Sequence, residues 1–207
     1  MIQEINKEVL IYLNSLLNYD VVQYMTLCLA DTPIFFLPIF LIWFWLYYTY
    51  KKDTTILTEI NLTKNLLQKE NLIYIFYSVL LWIIISLIIQ QIIHIDRPET
   101  VLEWTWKLLL KHLPDASFPS DHATVAISFL TSLFLAWYKK IWLFFTPFVI
   151  LMLMSRVILW VHWPLDIIVW SLVWLSSSFI VFKYITKIKI INKLNRFIIK
   201  MMWFIKM

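Results

Sequence analysis

Glycine is absent from the 207 residues, cysteine occurs once, and charged residues make up only 15% of the chain. Each shortage narrows the field. The single cysteine, Cys28, rules out an internal disulfide and leaves no CxxC metal or redox motif. Soluble domains carry roughly 25% charged residues, so the low charge content argues against one. The missing glycines accompany 15 Lys against 3 Arg, a bias of the kind an A/T-rich genome produces, and carry no functional weight. The opening MIQEINKEVL holds Glu4 and Glu8 and lacks a basic region followed by an apolar core, so no cleavable signal peptide is expected.

What is present is hydrophobic. Apolar residues reach 61%, aromatics 18%, and mean hydropathy is +0.76. The expectation is an all-α integral membrane protein with a single domain over residues 1–207. Five strong spans read at about 34–50, 72–93, 120–138, 141–159 and 164–182, each 17 to 22 residues and near the ~20 needed to cross. The first is expected to follow a break at Asp31-Thr32-Pro33. Residues 1–30 are weaker, with Ile5, Val9, Tyr12, Leu13, Leu16 and Leu17 at helical spacing, and predict a helix lying in the interface. A sixth span over about 9–30 stays open, though Asn14, Asn18 and Asp20 interrupt it.

Charge asymmetry orients the bundle. Lys51, Lys52, Lys64 and Lys69 lie between the first two spans, Lys139 and Lys140 between the third and fourth. The tail 183–207 carries only bases, alternating with apolar groups as an amphipathic helix on the inner leaflet would. With five spans these basic segments share one side, which the positive-inside rule makes cytoplasmic. The loop 94–119 falls outside, with Glu99 and Glu103 read as its solvated face. Most of the twelve Trp are expected in the interfacial belts.

The polar residues then converge. Arg97 follows the outer end of the second span, and Ser120, Asp121 and His122 begin the third. Ser155 and Arg156 end the fourth, and His162 and Asp166 begin the fifth. Ionisable groups at a membrane helix end are costly and are read first as a functional site. Arginine forks match phosphate oxygens, and helix starts at Pro119-Ser120 and His162-Trp163-Pro164 offer free N–H groups and a positive dipole end. Two histidines fit a nucleophile and an acid. Asp166, four residues after His162, would reach the imidazole if the local geometry were helical. This chemistry demands no metal.

These segments, RP at 97–98, PSDH at 119–122 and SRVILWVHWPLD at 155–166, resemble the three signature motifs of the type 2 phosphatidic acid phosphatase superfamily, membrane branch. The resemblance covers about 72–182 and is most complete in the third motif. It implies that His162 is a nucleophile forming phosphohistidine and that Asp166 orients it. By the same resemblance His122 is the acid and then the base, while Arg97, Ser120 and Arg156 hold phosphate, with no metal or other cofactor. The partners it implies are a membrane lipid phosphate and the bilayer, not nucleic acid.

Two positions depart from that pattern. Gln90 stands where the first motif has lysine, with His94, Lys107 or Lys111 as replacements. Asp121 stands where the wider family has glycine, and the form SFPSDHAT is similar to the undecaprenyl-diphosphate phosphatase branch. Asp121 is expected to cap or orient, pointing away from phosphate or pairing with a cation. The leading expectation is release of the terminal phosphate of undecaprenyl diphosphate at the outer face of a bacterial cytoplasmic membrane. Another lipid phosphate (phosphatidylglycerol phosphate, phosphatidic acid or lipid A) is the runner-up. A silent lipid binder or a haem protein with histidine ligands is the alternative outside enzymes. For His94 and His112 a solvated or capping role is the default.

Overall fold

The computed structural model describes residues 2–50, 59–101 and 117–204. Among the described residues the chain is mostly helical, with no strand. The helices are α1 (Ile2–Ser15), α2 (Asp20–Tyr50), α3 (Glu59–Ile92), the short α4 (Pro98–Val101), α5 (Asp121–Leu135), α6 (Lys139–Ile158), α7 (Pro164–Lys183) and α8 (Lys189–Phe204). Among the described residues three stretches, Asp20–Tyr50, Thr63–Ile92 and Lys139–Ile158, are long and apolar enough to cross a bilayer. The protein is an all-α membrane protein.

The first expected break does not occur. Asp31, Thr32 and Pro33 lie inside α2, which runs unbroken for 31 residues with Pro33 and Pro38 in its interior. Proline is tolerated in an apolar helix packed among neighbours, which can re-satisfy the freed carbonyls. The chain breaks earlier, through a 3-10 turn at Leu16–Asn18 and extended backbone at Tyr19. The segment 1–30 is therefore divided: α1 is separate, and residues 20–30 form the first turns of α2.

α5 is the hub, touching α2, α3, α6 and α7. Without glycine, close approach falls to alanine and serine. Ala123, Ala126, Ser128 and Ser132 of α5 are fully buried, as are Ser78 and Ser86 of α3. The hydroxyl of Ser178 on α7 donates to the Ser128 carbonyl at 3.0 Å, joining two helices through a polar contact. Small residues and interhelical hydrogen bonds replace the hydrophobic effect as glue in an apolar solvent. At 15 residues α5 is shorter than the expected span, and it stops where Trp137 enters the left-handed region.

Two tryptophans carry the helix stops that glycine usually carries. Trp137 has φ 64° and Trp160 has φ 65°. After α5, Tyr138 N–H bonds the Leu133 carbonyl at 2.9 Å and Trp137 N–H the Phe134 carbonyl at 3.1 Å. After α6, Val161 N–H bonds the Arg156 carbonyl and Trp160 N–H the Val157 carbonyl, both at 3.0 Å. These are paired Schellman bonds that satisfy the last carbonyls. Trp160 is buried, as are Trp45 and Trp82, so these three pack within the protein.

α1 braces the turn after α6 from outside. Its Asn14 amide donates to the Ile158 carbonyl at 2.9 Å, and its Asn6 side-chain oxygen accepts from Leu165 N–H at 3.1 Å. One end group of α6 and one of α7 are thereby satisfied. Leu10 of α1 is fully buried, so part of its apolar face covers protein. At the far end α8 lies against α3, with Tyr77 donating to Asn195 at 2.8 Å, Tyr74 to Asn192, and Arg196 paired with Glu70 at 3.1 Å. Its Ile190, Leu194, Phe197 and Met201 form an exposed apolar stripe beside lysines, as a helix on a lipid surface requires.

The two tryptophan stops should respond oppositely to glycine. A left-handed residue with a side chain costs about 1–2 kcal/mol. Trp137 is 77% exposed with the Lys139 ammonium 4.6 Å over its ring, so Trp137→Gly should be neutral to stabilising by about 1 kcal/mol after losing that contact. Trp160 is 3% exposed, and Trp160→Gly should destabilise by about 3 kcal/mol through the void it leaves. Thermal unfolding in detergent measures both.

Candidate active site

The site forms where four segments meet: the middle of α2, the segment around Arg97, the start of α5, and the turn from α6 to α7. Ser120 is the N-cap of α5, its hydroxyl accepting from Ala123 N–H at 3.4 Å, so the expected cap exists. His122 occupies the first turn of α5. Arg156 lies in the last turn of α6, and the Schellman turn that follows delivers His162 just ahead of Pro164 at the start of α7.

Arg156 stands between the two histidines. Its Nη2 is 3.5 Å from His162 Nε2, and its Nη1 is 3.4 Å from His122 Nε2. Arg156 and His162 are almost wholly buried, as are Arg97 and Ser120. Arg97 Nη1 donates to the Val161 carbonyl at 3.4 Å, fastening its segment to the His162 turn. The indole N–H of Trp163 bonds the Asp96 carbonyl at 3.0 Å and fastens the same two pieces.

The acceptor on the other side of His162 differs from expectation. Its Nδ1 lies 2.7 Å from the Ser117 carbonyl oxygen, and Asp166 does not touch the ring. Asp166 accepts from the Ser117 hydroxyl at 2.8 Å and from Trp163 N–H at 3.4 Å. The reason is local. His162 precedes the N-cap of α7 while Asp166 is its third residue, so the four-residue spacing does not run along a helix. Asp166 fixes the Ser117 segment, and Ser117 fixes the ring.

A carbonyl only accepts, so Nδ1 of His162 carries the hydrogen and Nε2 bears the lone pair. Burial first, then the charges of Arg156 and Arg97, push this imidazole well below the ordinary histidine range and keep it neutral.

The two departures from the sequence pattern meet each other. The Gln90 amide donates to Asp121 Oδ1 at 3.1 Å and to the Pro119 carbonyl at 3.2 Å. Ser86 donates to the same carboxylate oxygen at 3.0 Å. Among the described residues Asp121 is held by neutral donors of α3, and Gln90 is engaged in tying α3 to the start of α5. His94 lies apart, 70% exposed and 3.7 Å from Asp96. Glu99 is buried rather than solvated. Lys107, Lys111, His112 and Glu103 lie outside the described residues.

Two site residues, Asp31 and Ser117, were missed in the sequence. Asp31, read as a helix break, places Oδ1 at 2.5 Å from Arg156 Nη1 and 3.0 Å from His122 Nε2. An ionisable residue inside an apolar span was the available signal. Ser117, just upstream of the second motif, gave none.

The PAP2 superfamily profile matches residues 70–190, a stretch holding every motif residue named above. The chain belongs to the PAP2 superfamily. It is also similar to an Escherichia coli (strain K12) protein named as a putative undecaprenyl-diphosphatase, YbjG, at 33% identity over 103 residues. That match covers 49% of this chain and 50% of the relative, so the chain spans about half the length of the curated relative it matches. No solved structure matches. Asp31 lies before the PAP2 region, so α2 adds a carboxylate to the site from outside the matched stretch.

Nitrogen NMR on histidine-labelled protein tests the His162 assignment. Its signals should show hydrogen on Nδ1 and a titration well below the ordinary value of about 6.5. Arg156→Met removes a positive neighbour, which should move the titration upward. A midpoint at or above the ordinary value in the unaltered protein would contradict the assignment.

Proposed function

We propose that this protein is a metal-independent lipid phosphatase working through phosphohistidine at His162, with undecaprenyl diphosphate as the substrate. The observation that carries the mechanism is the opposite state of the two ring nitrogens facing Arg156. His162 Nε2 has its lone pair free, because Nδ1 donates to Ser117. His122 Nε2 faces the Asp31 carboxylate at 3.0 Å, an acceptor, and therefore carries hydrogen. One nitrogen is a nucleophile and the other an acid, about one guanidinium apart.

In the first step His162 Nε2 attacks phosphorus, the bond from phosphorus to the leaving oxygen breaks, and His122, entering the step as imidazolium, gives that oxygen its Nε2 proton and becomes neutral. In the second step His122 takes a proton from water, the water oxygen attacks phosphorus, and the bond to His162 breaks, releasing orthophosphate. Arg156 and Arg97 balance charge on the equatorial oxygens. Arg156 Nε, buried and without a hydrogen-bond partner among the described residues, is a further donor for phosphate. Asp166 acts through Ser117 to keep the His162 ring in place.

A lipid substrate is favoured by the apolar groove between α2 and α6. Its volume is about 520 Å³, and Cys28, Thr32, Phe36, Ala126, Phe148 and Met152 are among its walls. Thr32 follows Asp31, Ala126 is one turn beyond His122, and Met152 one turn before Arg156. The groove is therefore lined by residues adjacent to, or one turn from, Asp31, His122 and Arg156, the side on which this reading puts the leaving oxygen and its hydrocarbon chain. The prenyl substrate is supported by the name of the Escherichia coli relative and by Asp121. The neutral Gln90 favours a second reading, a lipid monophosphate, because one cation fewer suits a smaller anionic charge. Lys139 and Lys140 lie at the end of α6 opposite Arg156, and α8 docks at that same end of α3. This supports a site facing outward from a bacterial cytoplasmic membrane with a cytoplasmic C-terminus.

Phosphate release by purified protein in detergent with excess EDTA tests the reading. Undecaprenyl diphosphate should be hydrolysed, and His162→Ala should lose at least about 10³-fold, the scale for removing a covalent nucleophile. Release only from phosphatidylglycerol phosphate would keep the mechanism and replace the substrate. Release from neither would favour a silent lipid binder. Cys28 is exposed in the groove wall, so Cys28→Trp should lower kcat/KM for the long-chain lipid about tenfold and spare a short soluble phosphate ester.

A further inference from the structure

Asp31 is anionic, yet it stands in a site built for an anion. Its Oδ1 contacts Arg156 Nη1 at 2.5 Å and His122 Nε2 at 3.0 Å. A phosphate undergoing attack by His162 would need one oxygen against those same two groups: the leaving oxygen, which accepts the proton of His122. The groove that would take the lipid chain passes beside Asp31 along α2, lined by Cys28 and Thr32. The carboxylate oxygen and the leaving oxygen therefore compete for one position. The Asp31 side chain is 44% exposed whereas that of Arg156 is 4% exposed, so the carboxylate is the partner with room to move.

We propose that Asp31 is the resident anion of the site. Its carboxylate occupies the leaving-oxygen position between turnovers, yields to the lipid phosphate, and returns to expel orthophosphate after hydrolysis. Between turnovers it neutralises Arg156 and keeps hydrogen on the His122 nitrogen that faces the site. The consequence is weak product binding: orthophosphate must displace a tethered carboxylate before it can pair with Arg156. Charges at contact distance near a protein surface attract strongly enough to set product affinity.

The proposal rests on the phosphate-site reading above and is tested by orthophosphate binding, measured by calorimetry on full-length protein in detergent. Asp31→Asn keeps the shape and removes the charge, and Asp31→Ala removes both; at a half-exposed position neither leaves a buried void. Both variants should bind orthophosphate about tenfold or more tighter than the unaltered protein. The inhibition constant for orthophosphate against lipid phosphate hydrolysis should fall in parallel, and Arg156→Ala should abolish the binding. Unchanged affinity in variants of an active enzyme would overturn the proposal and leave the phosphatase reading intact. A fall in kcat with unchanged phosphate affinity would make Asp31 only a positioning partner of His122, and would also overturn it. Orthophosphate binding by neither the unaltered protein nor the variants, with no lipid phosphate hydrolysed, would overturn the site reading and this proposal together.

Discussion

The buried guanidinium of Arg156, lying between two imidazoles, is the contact on which the site depends. A permanent charge 3% exposed at the end of an apolar helix is tolerated only with partners in fixed places. Those partners come from α2, α5 and the turn after α6, so the charge obliges three parts of the bundle to meet. Much of the surrounding architecture serves the same turn. Trp160 bends it in the left-handed region, Asn14 and Asn6 of α1 satisfy the helix ends on either side, and Ser117 grips the ring it presents.

A bundle without glycine achieves this with other small residues. Ala123, next to His122, and Ala126, one turn beyond it, let α5 approach its neighbours, and Ser128 bonds α5 to α7. α5 is thereby held from four sides, and the first turn that carries His122 inherits that rigidity. The preorganisation of the two imidazoles is a packing property before it is a chemical one.

Several features were legible in the sequence because they follow from composition or local chemistry. The apolar runs gave α6 and α7 nearly to their ends and α3 only at its C-terminal end, since α3 begins at Glu59, thirteen residues before the expected start. Ser120 and Pro164 mark helix starts where they were expected. The third motif holds both Arg156 and His162, whose side chains the structure brings to 3.5 Å. What could not be read depended on tertiary contact. Asp31, two residues before Pro33, has the signature of a break, yet its helix continues where α6 packs along it and Arg156 gives the carboxylate a partner. Asp166 at four residues from His162 suggested a direct contact, but the turn directs its carboxylate to Ser117. Glu99 looked like a solvated loop acid and is buried, a fate no local pattern announces.

Gln90 and Asp121 looked in the sequence like two separate weaknesses, a lost cation and a gained anion in a phosphate site. In the structure they are one substitution. A lysine at position 90, set beside Asp121, would be drawn to that carboxylate and would give little to a phosphate. The glutamine amide holds the same oxygen at 3.1 Å without a charge and also ties the Pro119 carbonyl. Asp121 keeps its orienting contacts at the start of α5 while its charge goes unneutralised by any partner among those donors. Together with the Asp31 carboxylate on Arg156, this lowers the positive potential that the two arginines would otherwise impose. On the proposed reading such a site would bind anions less tightly than its arginines alone suggest. That would suit a catalyst releasing orthophosphate at every turnover, since affinity shared equally by product and transition state adds nothing to the rate.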